Sequence, residues 1–125
     1  MEFKIDTRSN YTLIRPVSVR LDANMAVKLS EKCQELSESD SQNYLIDLDA
    51  CQQADEAAFE TLATLHETCY GQGQSLVFTN VQDPVLDALR DAQMNDAINI
   101  TPTEQEAVDI ISMEILERDL FNEEG

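Results

Sequence analysis

The stretch Asn43–Phe59 reads NYLIDLDACQQADEAAF and contains the strand, loop and helix start around which the chain is organised. Tyr44–Leu48 is an apolar run of strand length, a polar loop follows it, and Asp55 and Glu56 open a helix. A buried strand that leads through a loop into a helix is where α/β folds place their functional residues. We therefore expect the functional surface at this loop and helix start.

The residues before this stretch predict a β-hairpin and a helix. Residues 3–6 alternate apolar and polar side chains, a turn follows at Asn10, and residues 11–17 form a second strand. Pro16 should interrupt that strand or place it at the sheet edge, because proline cannot donate a ladder hydrogen bond. Asp22 is the expected N-cap of the helix. The buried face of the helix consists of Met25, Leu29, Cys33 and Leu36.

The residues after the stretch continue the alternation of helices and strands. A helix capped by Asp55 is followed by a strand at residues 75–79 and by a helix that starts at Asp83-Pro84, with Asp83 as its cap. A strand at residues 98–100 and a helix from about residue 104 to about residue 120 complete the order. This order predicts an α/β fold with a small, mixed and mostly parallel sheet flanked by about four helices. We interpret residues 1–125 as a single domain whose residues 120–125 are a frayed tail.

Charge is the strongest global signal in the sequence. Twenty-five acids face eight bases, which gives a net charge of −17. Residues 1–32 hold six bases and four acids (net +2), whereas residues 33–125 hold two bases and 21 acids (net −19). Such a field repels nucleic acids and anionic membranes, and no apolar run approaches the ~20 residues of a membrane span. We expect no nucleic-acid partner and no membrane insertion; the acidity favours solubility or a basic protein partner.

The cysteines and the single histidine do not form a metal-binding pattern. Cys33, Cys51 and Cys69 form no CxxC pair, and His66 stands alone. We therefore expect no metal, no cofactor and reduced thiols in a cytoplasmic protein. Cys33 and Cys69 lie on apolar helix faces and should be core residues, whereas Cys51, in the loop, is the candidate reactive thiol. His66 should be packed or half-exposed rather than catalytic.

Short segments along the chain, taken in order, carry a family resemblance. Leu21-Asp22-Ala23 precedes the first helix, Ile46-Asp47-Leu48 forms the central strand, and Gly73–Val77 leads into the next one. Asn80-Val81 then leads to the Asp83-Pro84 helix start. In order and spacing these segments resemble the STAS family, the bacterial anti-sigma factor antagonists and related domains, as far as about residue 111. The resemblance implies a STAS-like domain that binds proteins and is not an enzyme.

The sequence departs from the signature of this family at the start of its second helix. The family's aspartate-serine-serine-glycine-leucine falls on Asp55-Glu56-Ala57-Ala58-Phe59. The second serine, which the family's partner kinase phosphorylates, is replaced by Ala57, so we predict no phosphorylation there. Glu56 supplies one fixed charge, less than the roughly −1.5 to −2 of a phosphoserine. It either imitates the phosphorylated state or only stabilises the helix dipole.

The resemblance implies a partner and a surface. The partner is an anti-sigma factor of the histidine-kinase-like ATPase class, whose binding releases a sigma factor. Asp55 should hold the turn, and Glu56, Ala57 and Ala58 should contact the partner, together with the exposed side of the helix that follows. The predicted partner-binding residues are Asp22, Gln53, Asp55, Glu56, Ala57 and Ala58.

Two other functions stay open at this point. STAS subunits of lipid-transport ABC systems resemble this domain, can lack the serine, and support the ATPase of the transporter. Alternatively, Asp47, Asp49, Asp55 and Glu56 cluster near the end of the central strand, and carboxylates in such a cluster can hold a metal ion or transfer protons in an enzyme.

The C-terminal helix has apolar residues on more than one face. Thr103 and Glu106 form a capping box at its start. One face should cover the sheet, and the remainder could form a dimer, contact a partner or pack against the same domain. The apolar residues are Val108, Ile110, Ile111, Met113, Ile115, Leu116, Leu120 and Phe121.

Overall fold

The strand at the centre of the sequence pattern is the middle strand of a five-stranded sheet. The computed structural model describes residues 2–39 and 42–124. The strands are β1 (Phe3–Thr7), β2 (Thr12–Pro16), β3 (Arg20–Leu21), β4 (Tyr44–Asp47), β5 (Gln53–Ala54), β6 (Leu76–Thr79) and β7 (Ile100–Thr101). The helices are α1 (Ala23–Glu38), α2 (Glu56–Gly71), α3 (Asp83–Asp91) and α4 (Glu104–Glu124).

The main sheet has the order β1-β2-β4-β6-β7. β1 and β2 form the predicted antiparallel hairpin, and the other pairs are parallel and connected by α1, α2 and α3. The α/β fold with a mixed, mostly parallel sheet is therefore confirmed. The strand is interrupted at Pro16, as expected, because β2 ends at that residue, although β2 itself lies between two strands. Pairing with β4 covers only residues 12–14, so Pro16 lies beyond the ladder on that side.

The two faces of the sheet carry two separate cores, because side chains alternate along each strand. On the front face, Ile14, Ile46 and Phe78 pack against α1, α2 and α3. Those helices contribute Met25, Leu29, Leu62, Val85 and Leu89, among others. On the back face, Leu13, Leu45, Val77, Ala107 and Ile111 form a smaller core. A single helix, α4, thus covers the back of the described sheet.

Helix starts follow the predicted capping in two cases and differ in a third. Asp22 caps α1, and the Glu106 N–H donates to Thr103 Oγ1 at 3.2 Å at the start of α4. In α3 the N-cap is Gln82, one residue earlier than expected, so that Asp83 is the first helical residue. Pro84 is accepted there because the first turn of a helix does not need its N–H group.

Other elements also differ from the prediction. β7 is Ile100–Thr101 rather than residues 98–100, and Ile98 packs into the front core before the strand begins. α4 continues to Glu124 instead of ending at about residue 120, and Gly125 lies outside the described residues. The short strands β3 and β5 were not predicted at all. None of the helices within the described residues is both long and apolar enough to cross a membrane.

Candidate functional site

A two-stranded sheet brings the starts of α1 and α2 side by side. In this parallel pair, Arg20 lies opposite Gln53, and Leu21 lies opposite Ala54. The Asp55 N–H donates to the carbonyl of Leu21 at 2.9 Å. The residue that follows each of the two strands, Asp22 after β3 and Asp55 after β5, is the N-cap of a helix. The small sheet therefore fixes the positions of the two helix starts relative to each other.

The N-cap residues Asp22 and Asp55 differ in their side-chain hydrogen bonds. Asp22 Oδ1 accepts the Met25 N–H at 2.8 Å, as predicted for an N-cap side chain. Asp55 occupies the N-cap position of α2, but its side chain makes no capping hydrogen bond, and its carbonyl accepts the Ala58 N–H at 3.0 Å. The Asp55 carboxylate instead lies 3.9 Å from the Arg20 guanidinium. Asp55 therefore holds the turn through its backbone.

The signature positions of α2 divide between surface and core. The side chains of Gln53, Glu56 and Ala57 are exposed. Ala58 has no exposed surface and packs in the front core, so the prediction that its side chain contacts a partner is wrong. Glu56 is the first residue of α2, where its charge is stabilised by the positive end of the helix dipole.

Val19 is an additional residue at this site. Its carbonyl accepts the N–H groups of Gln52 at 2.7 Å and Gln53 at 3.1 Å, and its side chain is 61% exposed. This exposed apolar side chain lies beside the acidic helix starts. Sequence reasoning missed it because the pairing of β3 with β5 was not predicted. We call the residues around the two helix starts the turn surface: Val19, Asp22, Gln53, Asp55, Glu56 and Ala57.

A groove of about 730 Å³ runs between α1 and α2. Hydroxyl and amide side chains form much of its lining, including Ser30, Gln34, Thr61, Thr64 and Thr68. Its α2 wall begins at Glu60, one turn after Glu56, so the groove follows the turn surface along the same helix. Two acids, Glu38 and Glu60, and the apolar side chain of Leu65 also line the groove. A groove of this mixed character can accept both the polar and the apolar side chains of a protein segment.

Acids at the end of the central strand are engaged in structural contacts. Asp47 is buried and accepts hydrogen bonds from Arg15 Nε at 3.1 Å and Nη2 at 2.9 Å. Gln82 Nε2 donates hydrogen bonds to the carbonyl oxygen of Asp49 at 2.9 Å and to its Oδ1 at 3.0 Å. Among the described residues, no three His, Cys, Asp or Glu side chains are placed to share a metal ion.

The three cysteines are all buried in the front core as free thiols. This confirms Cys33 and Cys69 as core residues. Cys51 is also fully buried, so the interpretation of it as an accessible, reactive thiol is wrong. The Cys51 N–H donates to the carbonyl of Leu48 at 3.0 Å, which turns the loop inward. Burial, helped by the nearby Asp47 carboxylate, raises the pKa of Cys51 to about 11.

His66 is half-buried on α2 and packs against the ring of Tyr70, with the ring centroids 4.6 Å apart. Tyr70 connects α2 to α4, since its hydroxyl donates to Glu114 Oε1 at 2.8 Å. The same hydroxyl accepts a hydrogen bond from Asn99 Nδ2 at 2.7 Å. Burial lowers the pKa of His66. The packed histidine that we expected is confirmed.

Comparisons with known proteins agree with this architecture. The model of the STAS domain family matches residues 3–107. No curated protein matches the chain at a significant level.

Three solved structures illustrate the similarity in fold. An anti-sigma factor antagonist from Mycobacterium paratuberculosis is 13% identical, with a TM-score of 0.73 and coverage of 89% of this chain and 93% of its own. A serine-to-glutamate variant of RsbS from Moorella thermoacetica is 17% identical, with a TM-score of 0.72 and coverage of 94% and 99%. An anti-sigma-factor antagonist (STAS) domain protein from Planctomyces limnophilus is 16% identical, with a TM-score of 0.71 and coverage of 88% and 97%. At these identities the similarity shows the fold alone.

Proposed function

The chain belongs to the STAS domain family, and on that premise we propose that it is a non-catalytic module that binds an anti-sigma factor of the histidine-kinase-like ATPase class. Binding releases the sigma factor that this partner holds. Similar folds are found in proteins named as anti-sigma factor antagonists, which supports the proposal.

The observation that carries the proposal is the exposure of Glu56 and Ala57 at a fixed helix start. The β3–β5 pair fixes the backbone on both sides of these residues, so a partner meets a surface that is already ordered. Ordering before binding lowers the entropic cost of association. The proposed contact residues are those of the turn surface together with the α2 wall of the groove; Ala58 is not among them because it is buried.

The proposed binding is not regulated by phosphate at the signature position. Ala57 has no hydroxyl group, and Glu56 carries a permanent charge at the first position of α2. A phosphate at such a position would add about −1.5 to −2 charge, which is the basis of an electrostatic switch. Without it, the amount of complex depends on the concentrations of the two proteins.

The test compares the wild-type protein with the double variant Glu56→Ser/Ala57→Ser in capture from the cell's own lysate, followed by reconstitution with the purified ATPase. We expect both proteins to bind the ATPase in the presence of ADP. With ATP, the double variant should gain phosphate and be released, whereas the wild type should stay bound. Glu104→Ser is the matched control, since Glu104 is also an exposed first residue of a helix but lies on α4.

Three outcomes would contradict this proposal. If only the double variant binds, Glu56 imitates the phosphorylated state and blocks binding. If the wild type gains phosphate at a hydroxyl group of α2, such as that of the exposed Thr64, the alignment of the signature is wrong. If a transporter ATPase is captured in place of an anti-sigma factor, the chain is a subunit of a lipid-transport ABC system, which the absence of a hydroxyl at Ala57 equally allows.

A further inference from the structure

The outward side of α4 carries an apolar stripe. Met113, Leu116 and Leu120 are 61%, 60% and 51% exposed, and Phe121 beside them is 81% exposed. At 100° per residue, the first three lie within about 40° of the direction opposite Ile111, which is buried against the sheet. The spacing of three and then four residues is that of the a and d positions in a coiled coil. We call these four residues the α4 stripe.

Among the residues that the structure describes, no part of the domain covers the α4 stripe. Ala107 and Ile111 are fully buried against the back of the sheet, and Val108 and Ile115 pack at the border of that core. These inward residues already cover Leu13, Leu45 and Val77. The stripe also lies beyond residue 107, where the match to the family ends. It is therefore an additional feature of this chain rather than a part of the core.

The charges around the α4 stripe have one sign. The helix contains eight acids and one base. With Met113 and Leu120 at a positions, Glu117 and Asp119 occupy the flanking e and g positions, and both are exposed. The one base, Arg118, faces inward and donates to Ser75 Oγ at 3.0 Å and to Asn43 Oδ1 at 2.8 Å. The exposed side of the helix is thus apolar along its middle and acidic at its edges.

We propose that the α4 stripe docks a cationic amphipathic helix of a partner protein. Residues at e and g determine which helices pair, and here they are acidic, so they match lysine or arginine on the other helix. A second copy of this chain would place acid against acid in both parallel and antiparallel pairing. Charge complementarity therefore selects a basic helix over a homodimer. This surface lies on the opposite layer from the turn surface and does not depend on the function proposed for it.

The test uses a synthetic 21-residue helical peptide with leucine at a and d and lysine at e and g, labelled for fluorescence anisotropy. At 0.15 M NaCl we expect saturable binding that weakens as salt is raised, and amide chemical-shift changes concentrated in residues 109–121. The variant Leu116→Gln/Leu120→Gln should bind at least tenfold more weakly. Val27→Gln is the matched control, because Val27 is 44% exposed on the outer side of α1, and it should bind as the wild type does.

A second peptide with glutamate at e and g should not bind. The proposal is overturned if the lysine peptide does not bind at millimolar concentration, or if Leu116→Gln/Leu120→Gln binds as tightly as the wild type. It is also overturned if light scattering at 0.15 M NaCl shows a dimer that this variant abolishes, because the stripe would then be covered by a second copy. Both substituted leucines are exposed, so we expect the variants to fold. Circular dichroism and urea unfolding check that they do.

Discussion

Arg15 and Asp47 join neighbouring strands through two hydrogen bonds to a single carboxylate oxygen. The Asp47 side chain is 4% exposed and the Arg15 side chain 42% exposed, so a nearly buried charge is balanced by a partner that water still reaches. Asp47 Oδ1, the other oxygen, accepts the Asp49 N–H at 2.9 Å and so fixes the beginning of the loop after β4. The pair therefore connects the sheet to the loop that precedes the turn surface.

Replacing Arg15 with methionine should lower the free energy of unfolding by about 2 kcal/mol, because it leaves the buried carboxylate of Asp47 without its cation. Partial exposure of the site keeps the loss below the 3–5 kcal/mol that is typical of a fully buried pair. Urea unfolding at pH 7 measures it. The matched control is Arg20→Met, whose half-exposed contact with Asp55 should contribute less than about 1 kcal/mol. Equal losses of unfolding free energy in Arg15→Met and Arg20→Met would show that Arg15 does not balance a buried charge on Asp47.

The two helix caps should differ in their contribution to stability. Asp22→Ala removes the hydrogen bond to the Met25 N–H and should cost about 1 kcal/mol. Asp55→Ala removes no side-chain capping hydrogen bond. It should cost less than about 0.5 kcal/mol, because it removes only the interaction of the carboxylate with the helix dipole and with Arg20. Both values follow from urea unfolding curves. A larger loss for Asp55→Ala than for Asp22→Ala would show that its carboxylate caps α2 in solution.

The three thiols should be unreactive in the native protein. All three are buried, and burial raises the pKa of Cys51 and of Cys69 to about 11 and that of Cys33 further still. Because the thiolate is the reactive form, a disulfide reagent at pH 8 should modify none of them within minutes. The same reagent should modify all three in urea, which is the control. Rapid modification of one native thiol at Cys51 would mean that its loop opens.

Acidification should destabilise the fold through His66. Burial lowers its pKa below the ordinary value of 6.5, against smaller opposing effects of Asn99, Glu114 and Glu67. Between the two pKa values the unfolded chain binds a proton that the folded chain does not bind. Stability contributed by neutral His66 is therefore present above about pH 6.5 and is lost as the pH falls towards the folded pKa.

Unfolding midpoints in urea at pH 7.5, 6.5 and 5.5 test this expectation for His66. The midpoint of the wild type should fall across this series, and that of His66→Gln should change less. The Tyr70 ring also packs on His66, so Tyr70→Phe, which keeps the ring and removes the hydroxyl bonds, serves as the control for the contacts of Tyr70. Equal changes of the midpoint in the wild type and in His66→Gln between pH 7.5 and pH 5.5 would show that His66 does not cause the loss of stability.

Periodicity predicted the elements that bury a regular face. Tyr44–Leu48 and residues 75–79 are apolar runs, and Met25, Leu29 and Cys33 repeat at helical spacing; the structure buries all of them. The strands β3 and β5 could not be found in this way, because two residues are too few to show a period and their pairing joins positions far apart in sequence. That pairing is what brings Val19 to the candidate site.

The errors at Ala58 and Cys51 have different causes. Ala58 lies four residues before Leu62, on the buried side of α2, so helical spacing was sufficient to predict its burial. Its position in the family signature suggested contact with a partner instead. For Cys51, position in a polar loop suggested exposure, and no local pattern indicates that the loop folds under the helix starts. The partner class itself comes from the family resemblance and not from any pattern of spacing.

The single-helix cover of the back face has a consequence for synthesis. The ribosome makes every strand of the main sheet before it makes α4, whereas α1, α2 and α3 are already present to cover the front face. A nascent chain can therefore assemble its front core while Leu13, Leu45 and Val77 still face water. Such an apolar surface is a site for chaperones or for aggregation. The back face stays exposed until residues 104–115 dock on it. A ribosome that pauses before it makes these residues therefore lengthens the time for which the back face is exposed.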